Sequence, residues 1–165
     1  MFACNQGGHF SQMMALKELF GKFESVLVTD NVRATKEMPA LKEIGNIEYA
    51  MAIAEKRKAL AETENIKNNR AEYITAYIKQ FFECRRIWKK YCPKVIITTG
   101  SNIAVPLFIY GKIKGSKLVF IETRAKVYSK TITGKIVGKI ADEVFVQWPE
   151  MKKIYPKAIY CGTLV

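Results

Sequence analysis

The chain has 165 residues, 27 Lys and Arg against 15 Asp and Glu, and 49% hydrophobic residues. That length and composition fit one globular domain over residues 1–165 and exclude a disordered chain. The net charge of +12 favours polyanionic partners: nucleic acid, anionic lipid head groups or phosphorylated substrates.

Four cysteines (Cys4, Cys84, Cys92 and Cys161) stand far apart without a CxxC pair, and His9 is the sole histidine. Neither a zinc tetrad nor a disulfide framework is expected, and a reducing cytoplasm suits such usage. No secretory signal precedes the first strand and no run of 18 apolar residues occurs, so no spanning segment is expected. The cations are unevenly spread. Residues 112–139 carry eight of them against one acid, Glu122.

In chain order, the short apolar 1–4 predicts a strand, a glycine turn follows, and apolar residues at 10, 13, 14, 16, 19 and 20 predict a helix over 10–20. ESVLVTD (24–30) reads as a buried strand. Residues 31–46 read as loop, and the Ala/Glu/Lys-rich 50–70 favours helix by propensity without a clear apolar face. Over 71–91, Tyr73, Ile74, Tyr77, Ile78, Phe81, Phe82, Ile87 and Trp88 form a helical stripe expected to pack into the core, stopped by Pro93. KVIITTG (94–100) is a β-branched strand, followed by a helix near Pro106. KLVFIET (117–123) is another strand. A Thr/Gly/Lys segment (129–140) leads to EVFVQW (143–148), a helical turn over 149–154 and a last strand near 158–162. Strands alternate with helices and lack tight hairpin signals, which predicts a Rossmann-like α/β fold: an open, mostly parallel sheet with helices on both faces.

In such a sheet, ligands sit where strands end and helices begin. Gly7 and Gly8 occupy one such loop and let backbone N–H groups approach an anion at a helix N-terminus. GGH is not GxGxxG. His9 is a candidate general base or hydrogen-bond donor to a phosphate, with a chemically idle helix cap as the alternative. Gly100, Ser101 and Asn102, in TTGSNIAVP, repeat the design. If the two strands are neighbours, the loops suit a diphosphate; the alternative is a tight strand-to-helix turn with Ser or Asn as N-cap.

GGHFSQMM (7–14), TTGSNIAVP (98–106), FIETRAKVYSKTITGKI (120–136), ADEVFVQWPE (141–150) and YPKAIYCGTL (155–164) together resemble the PssD-like capsular and exopolysaccharide biosynthesis proteins. These are bacterial relatives of the eukaryotic subunit that anchors the dolichol-linked GlcNAc transferase. The resemblance covers residues 1–30 and 93–165. It implies the amino-terminal, acceptor-side half of a GT-B glycosyltransferase, working with a separate small carboxyl-half subunit that holds most of the UDP-sugar co-substrate. No permanently bound cofactor or metal is implied. The reaction implied is transfer of a sugar to a polyprenyl-diphosphate-linked acceptor, with the chain inactive alone and peripheral on the cytoplasmic face of the cell membrane.

Carried over residue by residue, Gly7, Gly8 and His9 match the first loop and Gly100, Ser101 and Asn102 the second. Glu122, Thr123 and Arg124 match an IES-like segment with Thr in place of Ser. Ser129, Thr131, Thr133, Gly134 and Lys135 match an S-x-(S/T)-x-TGK stretch, and Gln147–Trp148–Pro149–Glu150 a QWPE signature. The resemblance implies His9 as base, Glu122 as the second candidate, and Gly7, Gly8, Gly100, Ser101, Asn102, Arg124 and Lys135 around the acceptor diphosphate. For Glu122 the alternative is a structural carboxylate paired with Arg124 or a lysine. The basic 112–139 segment would hold the diphosphate or face anionic head groups.

Asn5 and Gln6 depart from the family's small serine-like residues, the first strand is short, and 50–70 lacks a counterpart. The eukaryotic relatives' membrane helix has no match here. Two rival functions remain: a non-catalytic activator of the transferase subunit, and a nucleic-acid-binding α/β domain. The second is disfavoured because no RNP, KH or zinc-finger pattern appears.

Overall fold

The structure, a computed structural model, describes all residues except 33–35, 38, 40, 42–43, 54–65 and 165. Seven strands form one parallel sheet in the order β3-β2-β1-β4-β5-β6-β7. They are β1 (Phe2–Ala3), β2 (Leu27–Asp30), β3 (Ile47–Ala50), β4 (Val95–Thr98), β5 (Lys117–Ile121), β6 (Glu143–Val146) and β7 (Ile159–Tyr160). The helices are α1 (Gly8–Met14), α2 (Glu18–Lys22), α3 (Ile66–Tyr91), α4 (Ala104–Lys114) and α5 (Ile132–Ile140), with a 3₁₀ turn at Pro149–Lys153. The fold is the Rossmann-like α/β architecture expected. Its strand order reverses between β1 and β4, which pair in register as Phe2 with Ile97 and Ala3 with Thr98.

On one face, Ile96, Leu118, Phe120 and Val146 lie with Phe108 of α4, Val137 of α5 and Met151 of the 3₁₀ turn in a shared core. Met1, Ala3, Val26 and Val28 pack with Cys84 and Ile87 of α3 and Leu107 of α4. On the other face, Phe2 and Leu27 meet Phe10 and Met13 of α1, with Leu19 and Phe20 of α2 alongside. That shorter cover leaves Ile97, Val119, Ile121 and Phe145 lining a pocket of about 300 Å³. Its remaining walls include Leu16, Leu19 and the tail residues Cys161–Leu164. A second trough of about 610 Å³, lined by Val95, Phe23 and Pro93 among others, shares Leu19 and Ile97 with the first. Parallel sheets normally bury both faces. This apolar strip is therefore a surface that wants a cover.

Three sequence expectations change. The helix expected over 10–20 is broken into α1 and α2. Leu16 and Lys17 bond back to Met13 and Met14, and Leu19 and Phe20 to Leu16 and Lys17. These i→i−3 bonds tighten the chain while Met13 and Phe20 both stay against the sheet, Phe20 stacking at 4.2 Å from Phe2. Second, β3 was not expected; it pairs with β2 from Leu27↔Ile47 to Asp30↔Ala50. Most of the 50–70 segment lies outside the described residues.

The third change concerns α3. Ala76, Gln80, Cys84 and Ile87 are buried, whereas Ile74, Ile78 and Phe82 are 60%, 51% and 60% exposed. The helix thus docks through a face of which only Ile87 belongs to the expected stripe, and turns Ile74, Ile78 and Phe82 outward. Gln80 Nε2 donates to Met51 O at 2.7 Å, which ties α3 to the end of β3.

Cys92, just past α3, has φ +41°, a left-handed conformation that side chains disfavour and glycine tolerates. Cys92→Gly is expected to raise stability by about 0.5–1 kcal/mol, measured by urea unfolding. The buried Cys84 thiol is pushed up to about 12 by desolvation, with the Glu83 charge adding to it. Thiol reagents at pH 8 should accordingly label the exposed Cys92 and Cys161 well before the buried Cys4 and Cys84.

Candidate functional site

The parallel pairing of β1 with β4 sets the loops after these strands side by side at the point where the strand order reverses, the crevice in which open α/β sheets bind ligands. In the first loop, Gly7 adopts φ +87° and precedes α1. The Gln6 N–H donates to Asp30 Oδ1 at 3.1 Å, so the end of β2 fixes the loop's entry. In the second, Gly100 adopts φ +91°. Thr98 Oγ1 donates to Ala3 O at 2.6 Å and accepts from Gly100 N at 3.1 Å, stitching the second loop to the first strand.

His9 bridges the loops. Its Nδ1 lies 2.9 Å from Thr99 O, and Thr99 Oγ1 donates to His9 O at 2.8 Å. A carbonyl only accepts, so Nδ1 carries the proton and Nε2 keeps the lone pair in the neutral ring. Burial pulls the His9 pKa below its ordinary value, opposed by the Thr99 carbonyl and the Glu122 charge. The ring is therefore neutral near pH 7. A Cβ on Gly100 would meet His9 Cε1 at 3.3 Å. Glycine is what lets the imidazole lie against the second loop.

Two polar atoms in this region, Asn5 Oδ1 and Ser101 Oγ, are buried without a protein partner. Asn5 directly follows β1 and the cysteine after it, and Ser101 follows Gly100, so both stand where the crevice opens. Neither Ser101 nor Asn102 caps α4: the residue before that helix is Ile103, and no side chain caps it. The first N–H groups of α4 turn back on the loop instead, Ala104 N donating to Ser101 O and Val105 N to Asn102 O, both at 3.2 Å, and Pro106 has no N–H to offer. Asn102 is half-buried, while Gly7 and Gly8 are exposed.

Glu122 occupies a different kind of place. It is buried, and its carboxylate accepts from Thr123 N (3.1 Å), Thr131 Oγ1 (2.9 Å), Thr131 N (3.3 Å) and Tyr155 Oη (2.7 Å). Every lone-pair direction is taken. The expectation of Glu122 as a base in the crevice meets a carboxylate that instead fastens the end of β5 to the start of α5 and to Tyr155. Its partners are hydroxyls and main-chain amides, where the sequence suggested Arg124 or a lysine. Burial, with Glu122 beside it, pushes the Tyr155 phenol well above its ordinary range. Lys130 Nζ lies 4.2 Å from the Tyr155 ring centroid, a cation–π contact.

Gln12 and Gln147 form the other scaffold. Gln12 Nε2 donates to Gly8 O (3.0 Å) and Thr123 Oγ1 (3.1 Å), and its Oε1 accepts from Arg124 N (3.1 Å) and Gln147 Nε2 (2.5 Å). Gln147 also donates to Glu122 O and accepts from Leu164 N at 2.9 Å. Arg124, whose side chain is exposed, is thereby held beside the first loop. Trp148 Nε1 donates to Arg124 O at 2.7 Å, so the indole serves as a packed strand end. Lys135 is exposed on α5 and is joined to the loops only through the Glu122 cluster at the start of that helix. Sequence reading assigned no role to Gln12, although a glutamine four residues after Gly8 shares its helical face; Asn5 and Thr99 were also missed.

Among the described residues, no group of three or more His, Cys, Asp or Glu side chains could hold a metal ion, and no helix is long and apolar enough to cross a membrane.

The mouse protein named UDP-N-acetylglucosamine transferase subunit ALG14 is 19% identical over 181 residues, covering all of this chain and 82% of the relative. The protein of the same name from Eremothecium gossypii is 23% identical, covering all of this chain and 79% of its own length. Acinetobacter baumannii MurG superposes with a TM-score of 0.64 at 13% identity, over 98% of this chain and 44% of MurG, so the chain spans less than half of that structure and shares its fold. The family described as "Oligosaccharide biosynthesis protein Alg14 like" matches residues 2–164, and the chain belongs to that family.

Proposed function

We propose that the chain, as a single acceptor-side domain, is one subunit of a two-chain glycosyltransferase. In this reading it binds a polyprenyl-diphosphate-linked sugar while a small GT-B carboxyl-half subunit holds most of the UDP-sugar. The proposal extends to the PssD-type role in capsular or exopolysaccharide biosynthesis and to a peripheral position on the cytoplasmic membrane face. The observation that carries it is the meeting of the two glycine loops around His9, beside the buried and unpartnered Asn5 Oδ1 and Ser101 Oγ. Gly7, Gly8, Ser101 and Asn102 supply N–H, amide and hydroxyl donors to the diphosphate, Gly100 lets the second loop approach it closely, and Arg124 and Lys135 are outer cations.

In the reaction proposed, the acceptor hydroxyl oxygen attacks C1 of the donor sugar, the bond from C1 to the UDP oxygen breaks, and the hydroxyl proton passes to His9 Nε2. The leaving UDP charge is stabilised on the partner subunit. Nδ1 bound to Thr99 O keeps the ring oriented and in the tautomer with a free Nε2 lone pair. The apolar strip over Ile97, Val119 and Phe145 supports the need for a second chain, because an amphipathic element laid there would complete the cover that α1 and α2 leave unfinished.

The test is reconstitution with the candidate partner, UDP-sugar and a short-chain polyprenyl-diphosphate acceptor. Gly100→Ala, which crowds His9 and strains the loop, is expected to raise the acceptor KM at least tenfold without weakening subunit association. An unchanged acceptor KM overturns the placement of the diphosphate.

A further inference from the structure

We propose that the exposed side of α5 and the loop before it form the surface on which the subunit meets an anionic lipid bilayer. The inference rests on the acceptor being lipid-linked, as proposed above, and names the surface that such an acceptor requires. Tyr128, Ile132 and Ile136 are 80%, 77% and 44% exposed. They follow one another at four-residue spacing, and the latter two lie on one side of α5. Large apolar side chains so exposed and so aligned are an interaction surface, and their surroundings say with what.

Residues 123–141 contain Arg124, Lys126, Lys130, Lys135 and Lys139 and no acid. A protein partner of ordinary composition gives no reason for so one-sided a rim. Phosphate-bearing head groups do, with apolar residues entering the acyl boundary and lysines remaining at head-group level. The exposed stripe on α3 has a mixed rim, with Glu72 as well as Lys79, Arg85 and Arg86 around Ile74, Ile78 and Phe82, whereas the α5 segment carries no acid.

Position supports the same reading. Thr131, at the start of α5, is bonded through side chain and main chain to Glu122 at the end of β5. Glu122 O and Thr123 Oγ1 are tied in turn to Gln147 and Gln12, and Gln12 to Gly8. The stripe is thus held rigidly next to the glycine loops. A diphosphate seated there has its lipid tail beside Tyr128 and Ile132, where the bilayer must be.

The experiment is co-sedimentation of the full chain with vesicles of phosphatidylcholine alone or with 30% phosphatidylglycerol. The wild-type chain is expected to bind the anionic vesicles and to bind the neutral ones at least tenfold more weakly. Ile132→Ser/Ile136→Ser should lower partitioning onto anionic vesicles at least fivefold, and Lys126→Gln/Lys139→Gln about tenfold or more. Ile74→Ser/Ile78→Ser should stay within twofold of wild type. Ile132, Ile136 and Lys139 are exposed and Lys126 is half-buried, and melting curves verify the fold. Wild-type levels of binding for both α5 variants, or loss confined to the α3 variant, overturns the α5 surface. Absence of wild-type binding to anionic vesicles overturns it as well. Neither result touches the acceptor reading, which is measured separately by turnover on a short-chain acceptor in detergent micelles, where the Ile132→Ser/Ile136→Ser variant should retain wild-type kcat.

Discussion

His9→Ala is expected to lower kcat of the reconstituted two-chain enzyme by about 10²–10⁴-fold, the range for loss of a positioned general base. Subunit association and the melting temperature should change little. His9→Gln should be nearly as impaired, because a carboxamide can replace the bond to Thr99 O but accepts a proton far too weakly. The pH profile gives an independent readout. Burial, opposed by the Thr99 carbonyl and the Glu122 charge, holds the folded-state pKa of His9 below its ordinary value of 6.5. Activity should therefore be full at neutral pH and fall on the acid limb, with an inflection below about 6.5. Stability follows the same sign. A depressed histidine pKa means that the unfolded chain binds the proton more tightly, so the His9 contribution is present above pH 6.5 and is lost as pH falls toward the folded-state pKa. His9→Gln should remove that portion of the acid sensitivity. Near-normal turnover of His9→Ala with the complex intact assigns the chain the role of non-catalytic activator.

Glu122→Ala is expected to have the largest effect on stability, about 3–5 kcal/mol. It leaves the donors of Thr131, Tyr155 and Thr123 buried without their acceptor. For a chain of this size the melting temperature should fall by roughly 8–15 °C. Glu122→Gln, which preserves shape but turns an N–H₂ toward groups that already donate, should lose about 2 kcal/mol. Gly134→Ala should act in the same direction, since a Cβ there runs into Glu122 Oε2, Tyr155 Oη and Thr131 Oγ1. The comparison that decides the role of Glu122 is between stability and turnover. A positioning carboxylate loses both together, whereas a Glu122→Gln variant with wild-type stability and abolished turnover returns Glu122 to the list of bases.

Much of this site is legible from local patterns. KVIITTG and ESVLVTD are dense β-branched runs whose glycine and aspartate ends mark where ligand loops begin, and both form strands as expected. TTGSN and GGH advertise tight strand-to-helix bends because few residues besides glycine adopt φ near +90°. β3 is another matter: Ile47–Ala50 has an interior Glu and only four residues, and it is a strand because β2 offers an unpaired edge. On α3 the periodicity announces an amphipathic helix, yet the face carrying Ile74, Ile78 and Phe82 and the face carrying Ala76, Gln80, Cys84 and Ile87 both have helical spacing. Close packing against α4 and the sheet selected Ala76, Gln80, Cys84 and Ile87.

From the residues alone come the alternation of strands and helices, the parallel sheet, the two glycine bends and the excess of positive charge, because each is a property of neighbouring positions along the chain. Tertiary structure decided which loops meet and what each polar side chain is free to do. His9 and Thr99 are 90 positions apart, Gln12 and Gln147 are 135, and Glu122 and Tyr155 are 33. A histidine becomes an oriented base, and a glutamate a buried fastening, only when such distant donors and acceptors are brought within hydrogen-bond reach, and strand order in the sheet is what brings them there.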